Sequence, residues 1–301
     1  MVEPVRTIVG PPPLASLPQQ WEQLERSSRA PVIVRDGERR LRAWGSPQRP
    51  FVVGVAPDGD RWRVEGWGCA PVEARRAVRE MFSLDSPLEQ FYRRTRSEPL
   101  LRGTESRFRG LRLPRDAGPY EALLHSIVGQ QLSVAAANAL KRRLLERYGR
   151  VVVAGRIEVP VVPSPSALVA AGASGLRSLG LSRAKSAALV GVALNDAQAR
   201  STGWLRRVPL ETARLHLEQL RGVGRWTAEN ALLRGAGRRD VFVAGDLGVR
   251  AALERFGGLP RSAPEDRARD WAERHYPGWG SYATLYLWRK LVADTASDGA
   301  G

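Results

Sequence analysis

The sequence predicts an α+β protein, with a small N-terminal α/β domain of antiparallel strands followed by a mainly α-helical domain. Two observations lead to this fold class. Strand-like alternation around Asp-Gly turns is confined to the first part of the chain. From Pro119 onward, short amphipathic segments separated by glycine and proline follow one another. The chain has 301 residues, 43% of them hydrophobic, which is enough for two domains.

The N-terminal domain is expected over residues 21–111, after a proline-rich segment, 1–20, that we expect to be poorly ordered. Two hairpins are predicted, around Asp36-Gly37 and Asp58-Gly59, because each Asp-Gly pair divides two alternating runs. A helix is predicted over PVEARRAVREMF, since proline favours the first turn and apolar residues recur at helical spacing. A second helix follows Ser86-Pro87.

The helical domain is expected over residues 112–294, with a disordered tail at 295–301. Its first helical pattern is interrupted at Gly129, and Ser133 is placed to cap a new helix after the break. The segment 151–162, VVVAGRIEVPVV, fits none of the helical patterns and receives no assignment. Five further short helices are predicted, in SPSALVAAG, LSRAKSAALVGVALNDAQA, PLETARLHLEQL, RWTAENALLRGAG and GVRAALERFG.

The charge of the chain favours a polyanionic partner. The formal net charge is +16 and the isoelectric point is about 11.2. Nucleic acid is favoured over a membrane, because the sequence has no basic amphipathic helix, no lipidation signal and no apolar run long enough to span a bilayer. The single cysteine, Cys69, excludes an internal disulfide and a cysteine-rich metal centre. With no signal-peptide pattern at the start, we expect a cytoplasmic protein.

A glycine turn separates two of the predicted helices, in LEQLRGVGRWTAENALLR. Glycines allow a tight turn whose backbone N–H groups point outward beside the positive end of the second helix, which suits a backbone phosphate. The residues predicted to contact phosphate are Gly222, Val223, Gly224, Arg225 and Thr227. An ordinary helix–helix connection explains the same glycines, so this pattern alone leaves both readings open.

The motif LRGVGRWTA, followed by DVF and GDLGV, resembles the helix-hairpin-helix DNA glycosylase superfamily, and most closely its bacterial 3-methyladenine DNA glycosylase II, or AlkA-type, members. Three further segments match in the same order: PYEALLHSIVGQQLSVAAA, PSPSAL with LRSLGLSRAKSAAL, and WGSYATLYLW. The resemblance spans about residues 112–290. It implies a monomeric DNA glycosylase that removes alkylated, cationic purines from damaged double-stranded DNA during base excision repair.

The resemblance places the catalytic carboxylate on Asp246, in VFVAGDLGV. An anion there stabilises the positive charge that develops on the deoxyribose when the base leaves. The same residue is placed to cap the helix LGVRAALERF, and the two roles are compatible because a helix N-terminus favours a negative charge. Asp240 follows two arginines and is expected to form a surface ion pair.

Some relatives carry a hairpin lysine that attacks C1′ and then nicks the strand. Trp226 occupies the matching position here. Because an indole cannot form a Schiff base, the resemblance implies a monofunctional glycosylase without lyase activity.

The resemblance also implies the groups that extrude and hold the base. Gln131 matches the family's wedge residue, although Gln130 and Gln131 could instead bond to the loop backbone. Trp226 and Trp288 match aromatics of the base pocket, where a cationic base would stack by cation–π attraction. A further pocket aromatic of the family corresponds to Asn230 here. Other ring-bearing residues are expected to be packed or hydrogen-bonded without a catalytic role: Trp271, Trp279, His125, His216 and His275.

One ion is implied by the resemblance, a structural Na⁺ or K⁺ held by the backbone carbonyls of Glu218, Leu220 and Val223; no other cofactor is expected. Two alternative functions remain at this point. Asn230 is compatible with a glycosylase for oxidised or deaminated bases. A non-catalytic helix-hairpin-helix DNA-binding protein is the other, but such a protein has no use for Asp246 facing DNA.

Overall fold

The computed structural model describes residues 3–12, 15–26, 32–96, 98, 101, 107–195 and 202–298, with the backbone alone over 296–298. Its N-terminal part contains a five-stranded antiparallel sheet in the order β1-β5-β4-β3-β2. The strands are β1 (Val5–Val9), β2 (Ile33–Asp36), β3 (Arg39–Ser46), β4 (Arg49–Asp58) and β5 (Arg61–Trp67).

Both predicted hairpins are confirmed. Asp36 pairs with Arg39 across the first turn and Asp58 with Arg61 across the second, so each loop has two residues. Gly37 and Gly59 open these loops with φ of +56° and +59°, which only glycine adopts without strain. One face of the sheet packs against two helices, α1 (Leu17–Arg26) and α2 (Pro71–Met81). The α2 helix begins at its proline, as predicted.

The unassigned segment forms a second, two-stranded sheet. Strands β6 (Arg150–Ala154) and β7 (Ile157–Val161) join through a two-residue turn in which Gly155 has a φ of +66°. Ala154 and Val159 pack against Leu41, Val52 and Trp67 on the other face of the large sheet. The partner surface of this hairpin lies about a hundred residues away in sequence, which local periodicity does not reveal.

Two expectations of disorder were wrong. Strand β1 lies within the segment 1–20 and pairs with β5 from Val5↔Gly66 to Val9↔Trp62, and α1 begins at Leu17. Composition alone could not show this, because a strand is stabilised by a partner elsewhere in the chain. At the other end, the last helix continues to Asp298, so four residues of the predicted tail, 295–298, are helical.

The remainder of the described chain is helical apart from β6–β7, as predicted. A π-helix, Leu232–Ala236, directly continues the α-helix Arg225–Ala231. The α-helix Pro165–Arg177 is interrupted at Gly172, where φ is +59°. The helices are α3 (Leu88–Thr95), α4 (Pro119–Gly129), α5 (Val134–Tyr148), α6 (Pro165–Arg177), α7 (Arg183–Leu194), α8 (Thr202–Arg207), α9 (Leu210–Glu218), α10 (Arg225–Ala231), α11 (Leu247–Phe256), α12 (Glu265–His275) and α13 (Gly280–Asp298).

Helix α3 packs into the core of the helical part, although it precedes the predicted domain boundary. The Phe91 ring lies 5.2–6.4 Å, between centroids, from four rings of that core: Tyr276, Trp279, Tyr282 and Tyr286. Trp271 and Trp279 are buried in the same core, which confirms the packing role predicted for them. Among the described residues, no helix is both long and apolar enough to cross a membrane.

Candidate active site

The glycine turn joins α9 to α10 and depends on glycine at one position. Gly222 has a φ of +79°, and a Cβ atom there would lie 2.4 Å from the Cβ of Ala188 in α7. Gly224 has a φ of −88°, and a Cβ atom there would meet nothing within 4 Å. The first glycine therefore shapes the hairpin, while the second leaves open space in front of the N-terminus of α10.

A matched pair of substitutions separates these two roles. We expect Gly222→Ala to lower the melting temperature by at least about 4 °C, because left-handed backbone costs alanine roughly 1–2 kcal/mol and the new methyl group collides with Ala188. Its affinity for duplex DNA should fall as the hairpin shifts. Gly224→Ala should melt within about 1 °C of wild type. Thermal denaturation and fluorescence anisotropy measure both effects, and equal melting temperatures would contradict this account.

Asp246 caps α11, as the sequence predicts. Its Oδ1 accepts hydrogen bonds from the backbone N–H groups of Gly248 at 2.9 Å and Val249 at 3.0 Å. The carboxylate is half-buried, and the two N–H groups belong to the positive end of the helix. The local sequence therefore fixes the position of this side chain.

Two indole rings hold the same carboxylate from the other side. Trp288 Nε1, on α13, donates to Oδ1 of Asp246 at 2.7 Å, and Trp226 Nε1, on α10, donates to Oδ2 at 3.2 Å. A Cβ atom at Gly248 would lie 3.2 Å from the Trp288 ring, so glycine there lets the indole approach. The sequence identified both tryptophans as pocket aromatics but gave no sign that they bond to Asp246.

A cleft of about 510 Å³ opens beside the carboxylate, and its size is typical of a ligand site. Asp246, Trp226, Trp288 and Asn230 all line it, so the structure brings the predicted catalytic and pocket residues together. Three exposed apolar side chains also contribute to its walls: Leu132, Val134 and Val292. Exposed apolar surface around a polar centre indicates a site of contact with another molecule.

One face of the Trp288 ring is already paired with a cation. The guanidinium carbon of Arg234 lies 5.1 Å from the ring centroid, and Arg234 itself lines the cleft with 5% exposure. Arg234 belongs to the π-helix that continues α10, a feature frequently found at functional sites. Sequence reasoning missed this residue, because the helical pattern gives no sign of a π-turn. A base can therefore stack on only the remaining face of Trp288.

His125 also lines the cleft, within a buried polar network. Its Nδ1 lies 3.3 Å from Oδ1 of Asp116, and the fully buried Arg42 of β3 bonds to both Asp116, at 3.4 Å, and Glu121, at 2.9 Å. Burial lowers the pKa of the His125 imidazole, so the ring is neutral at neutral pH. Its Nδ1–H then donates to Asp116, and His125 supplies no positive charge or ready acid to the cleft.

The loop between α4 and α5 is braced from two sides. Gln130 Nε2 donates to the Thr227 hydroxyl at 2.9 Å, and Lys185 Nζ donates to the carbonyls of Val128 at 2.9 Å and Gln130 at 2.7 Å. Gln131, next in the chain, is exposed, and its φ is +54°. That conformation is uncommon outside glycine and concentrates at functional positions. The Gln130 side chain thus bonds to Thr227 of the hairpin and not to the backbone of its own loop, and the Gln131 side chain bonds to none of the described residues.

Lys185 should matter for base extrusion because it holds this loop. We expect Lys185→Met, which keeps the apolar stem, to slow excision of a paired lesion several-fold and to have less effect on the same lesion in an unpaired bulge. An unpaired base needs less energy to leave the stack, so a loosened wedge loop costs less there. Single-turnover rates on the two duplexes provide the comparison, and equal slowing on both would argue against a role in extrusion.

The polar side chains of the hairpin differ in what they can contact. Thr227 is only 2% exposed and its hydroxyl is bonded to Gln130, which leaves its backbone N–H as the group for a phosphate. Arg225 pairs with the buried Glu229 at 3.1 Å. Asp240 pairs with Arg238 at 2.6 Å, in agreement with the ion pair predicted for it.

A helix-hairpin-helix beside a cleft, with a helix-capping aspartate at its mouth, defines a class of DNA base-excision proteins. The family model described as HhH-GPD superfamily base excision DNA repair protein matches residues 124–276. The chain belongs to this superfamily, and within it to the AlkA type of glycosylase.

Individual relatives agree with that assignment. A DNA-3-methyladenine glycosylase of Bacillus subtilis (strain 168) is 29% identical over 219 residues, 71% of each chain. DNA-3-methyladenine glycosylase 2 of Escherichia coli (strain K12) is 34% identical over 183 residues, 60% of each chain. The solved 3-methyladenine DNA-glycosylase from Archaeoglobus fulgidus superposes with a TM-score of 0.82 at 26% identity, covering 95% of this chain and 98% of that one.

Proposed function

We propose that the protein is a monofunctional DNA glycosylase that flips alkylated purines out of duplex DNA and hydrolyses their N-glycosidic bonds. The observation that carries this proposal is the Asp246 carboxylate, held by four N–H donors at a base-sized cleft beside the hairpin. The names of the relatives, which are 3-methyladenine glycosylases, support the same substrate class.

The chemistry follows from the position of that carboxylate. As the bond between C1′ and the base nitrogen lengthens, the sugar becomes cation-like, and a fixed anion beside it stabilises the transition state. The four donors hold Asp246 in place before the substrate arrives, so little reorganisation is needed during the reaction. Water then adds to C1′, with the carboxylate positioned to orient it. A purine that is cationic through alkylation leaves as a neutral base. No general acid is therefore needed to protonate it, and the neutral state of His125 is compatible with the reaction.

The duplex is gripped by charge and by the hairpin. The net charge of +16 attracts the phosphate backbone, and the open space in front of Gly224 admits a phosphate to the N–H groups of Gly224 and Arg225. The Val223 N–H, also predicted as a phosphate donor, instead donates to the Leu220 carbonyl at 3.0 Å and closes the turn. Gln131, exposed at the tip of its loop, fills the gap that the flipped base leaves. We propose that one molecule acts alone on damaged double-stranded DNA.

A panel of duplexes tests the proposal directly. Each duplex carries one defined lesion, either alkylated, oxidised or deaminated, and abasic sites are counted after incubation with the protein. We expect the fastest formation of abasic sites at alkylated purines. Excision confined to oxidised or deaminated bases would assign the protein to the alternative substrate class, and no excision at any lesion would refute glycosylase activity.

The product should be an intact abasic strand, because Trp226 occupies the lysine position of the bifunctional relatives. We expect borohydride to trap no protein–DNA adduct, and strands to break only after alkali is added. Electrophoresis under denaturing conditions reads out both results. A trapped adduct would contradict the prediction and would point first to Lys185 or Lys290, since burial lowers the pKa of both ammonium groups.

We also propose a structural Na⁺ or K⁺ at the hairpin, held by the carbonyls of Glu218, Leu220 and Val223. The end of α9 supports this proposal. Glu218 ends α9, so its carbonyl lies at the negative end of the helix, where intrahelical partners run out. The ion would be coordinated by these carbonyl oxygens and would help to orient the adjacent N–H groups toward a phosphate.

A further inference from the structure

Asn230 places a polar group at the position where the resemblance to AlkA-type glycosylases implies an aromatic side chain. The residue lies on α10, one helical turn after Trp226, and it lines the same cleft as Asp246. Its exposure is only 7%, so it belongs to the wall of the cleft rather than to the outer surface. A side chain in this position can meet the flipped base directly.

The orientation of the Asn230 amide is fixed by the backbone. Nδ2 of Asn230 donates to the carbonyl oxygen of Trp226 at 2.9 Å. A carbonyl oxygen only accepts hydrogen bonds, so turning the amide over would bring two acceptors together. The NH₂ group therefore stays on the backbone side. The other amide atom, Oδ1, accepts a hydrogen bond from none of the described residues and is available to a ligand.

An acceptor that cannot be turned into a donor discriminates between purines. Adenine-type bases carry an amino donor at C6, whereas guanine-type bases and hypoxanthine carry an oxygen acceptor there. We propose that Asn230 Oδ1 reads the 6-amino group of the flipped base, so that the site selects alkylated adenine over alkylated guanine. This inference rests on the proposed function, and it makes Asn230 a specificity-determining residue.

The positive charge of the alkylated base strengthens this selection. A 6-amino group on an alkylated, cationic adenine is a better donor than a neutral one, and Asn230 Oδ1 offers it a neutral acceptor. A 6-oxo base would set its oxygen against Oδ1 and leave both acceptors without a donor. Leaving one buried polar group unpaired in this way changes a rate by about 5- to 150-fold.

Methylated DNA provides both substrates in one reaction. DNA treated with dimethyl sulfate contains 3-methyladenine and 3-methylguanine, whose release is followed by chromatography. We expect wild type to favour 3-methyladenine by at least about 5-fold, after correction for spontaneous loss of each base. Asn230→Leu, close in shape but without an acceptor, should bring this ratio to within about 2-fold of unity, mainly by slowing release of 3-methyladenine. Val292→Ala, at the cleft wall, should leave the ratio unchanged.

The outcomes separate this inference from the proposed function. If wild type releases neither base, the proposed function fails. If wild type releases both bases at equal rates, or if a folded Asn230→Leu variant keeps the wild-type ratio, the function stands and the inference is overturned. Should Asn230→Leu not fold, Asn230→Ala is measured in the same assay, and the wild-type ratio remains decisive by itself.

Discussion

Replacing Asp246 with asparagine should abolish nearly all base excision while leaving the fold and the affinity for DNA intact. We expect the single-turnover rate on a duplex with one 3-methyladenine analogue to fall by at least about 100-fold, the size of loss seen when one fixed electrostatic group is removed from an active site. The loss arises because a neutral amide no longer opposes the positive charge on the sugar. Affinity should stay equal or improve, since the carboxylate acts mainly on the transition state.

The substitution is well matched to the site. Asparagine is as good a helix N-cap as aspartate, so α11 keeps its cap when the amide oxygen takes the place of Oδ1. The amide NH₂ then faces the Trp226 N–H, so that one hydrogen bond is lost and a small fall in melting temperature is expected. Asp240→Asn is the control, because Asp240 is a nearby aspartate that pairs with Arg238 instead of lining the cleft. Excision by Asp246→Asn within a few-fold of wild type would refute the catalytic assignment, as would an equal loss in the control variant.

The sequence predicted the residues of this site better than their arrangement. Asp246 and the two pocket tryptophans were located through the resemblance to AlkA-type glycosylases, whereas the glycine turn followed from its own residues. The cap on α11 also followed from local rules, since Asp246 directly precedes an amphipathic helix. These features depend on neighbours within a few residues, which is the range over which a pattern carries structural information.

What the sequence did not show depends on contacts between distant segments. The bond from Trp288 to Asp246 joins residues 42 positions apart, and the β6–β7 hairpin packs on strands far away in the chain. Arg234 reaches the cleft because a π-turn continues α10, and the helical period does not signal such a turn. Strand β1 was mistaken for disorder for the same reason, since three other strands separate it from its partner β5 in the sequence.

The position of Arg234 changes what Trp288 is expected to do. The sequence alone suggested that Trp288 selects cationic bases by cation–π attraction. In the structure, one ring face is already opposed by the guanidinium of Arg234, while the indole N–H makes the shortest hydrogen bond to Asp246. A cationic base on the other face would be attracted to the ring less strongly. Both cations would interact with the same π system, and the guanidinium charge would repel the base. We therefore expect positioning of the carboxylate to be the larger role of Trp288.

Trp288→Phe isolates that role, because phenylalanine keeps an aromatic wall and removes only the N–H donor and part of the ring. Losing a hydrogen bond to a charged group costs about 1.5–3 kcal/mol, so we expect a 10- to 150-fold slower single-turnover rate. The loss should be similar for cationic 7-methylguanine and neutral hypoxanthine, provided wild type excises both, since both need Asp246.

Two comparisons decide whether the indole N–H is what matters. Trp226→Phe should cost less, because its bond to Asp246 is longer, at 3.2 Å against 2.7 Å for Trp288. Trp288→Ala should be slower than Trp288→Phe, because it also removes the wall that supports the base. Affinity for a duplex with an abasic-site analogue should change little in Trp288→Phe, since the hairpin is untouched. If Trp288→Phe excises at the wild-type rate while Trp288→Ala is slow, Trp288 serves only as a wall of the cleft. If Trp288→Phe slows excision of the cationic lesion alone, selection of the base by its charge is supported instead.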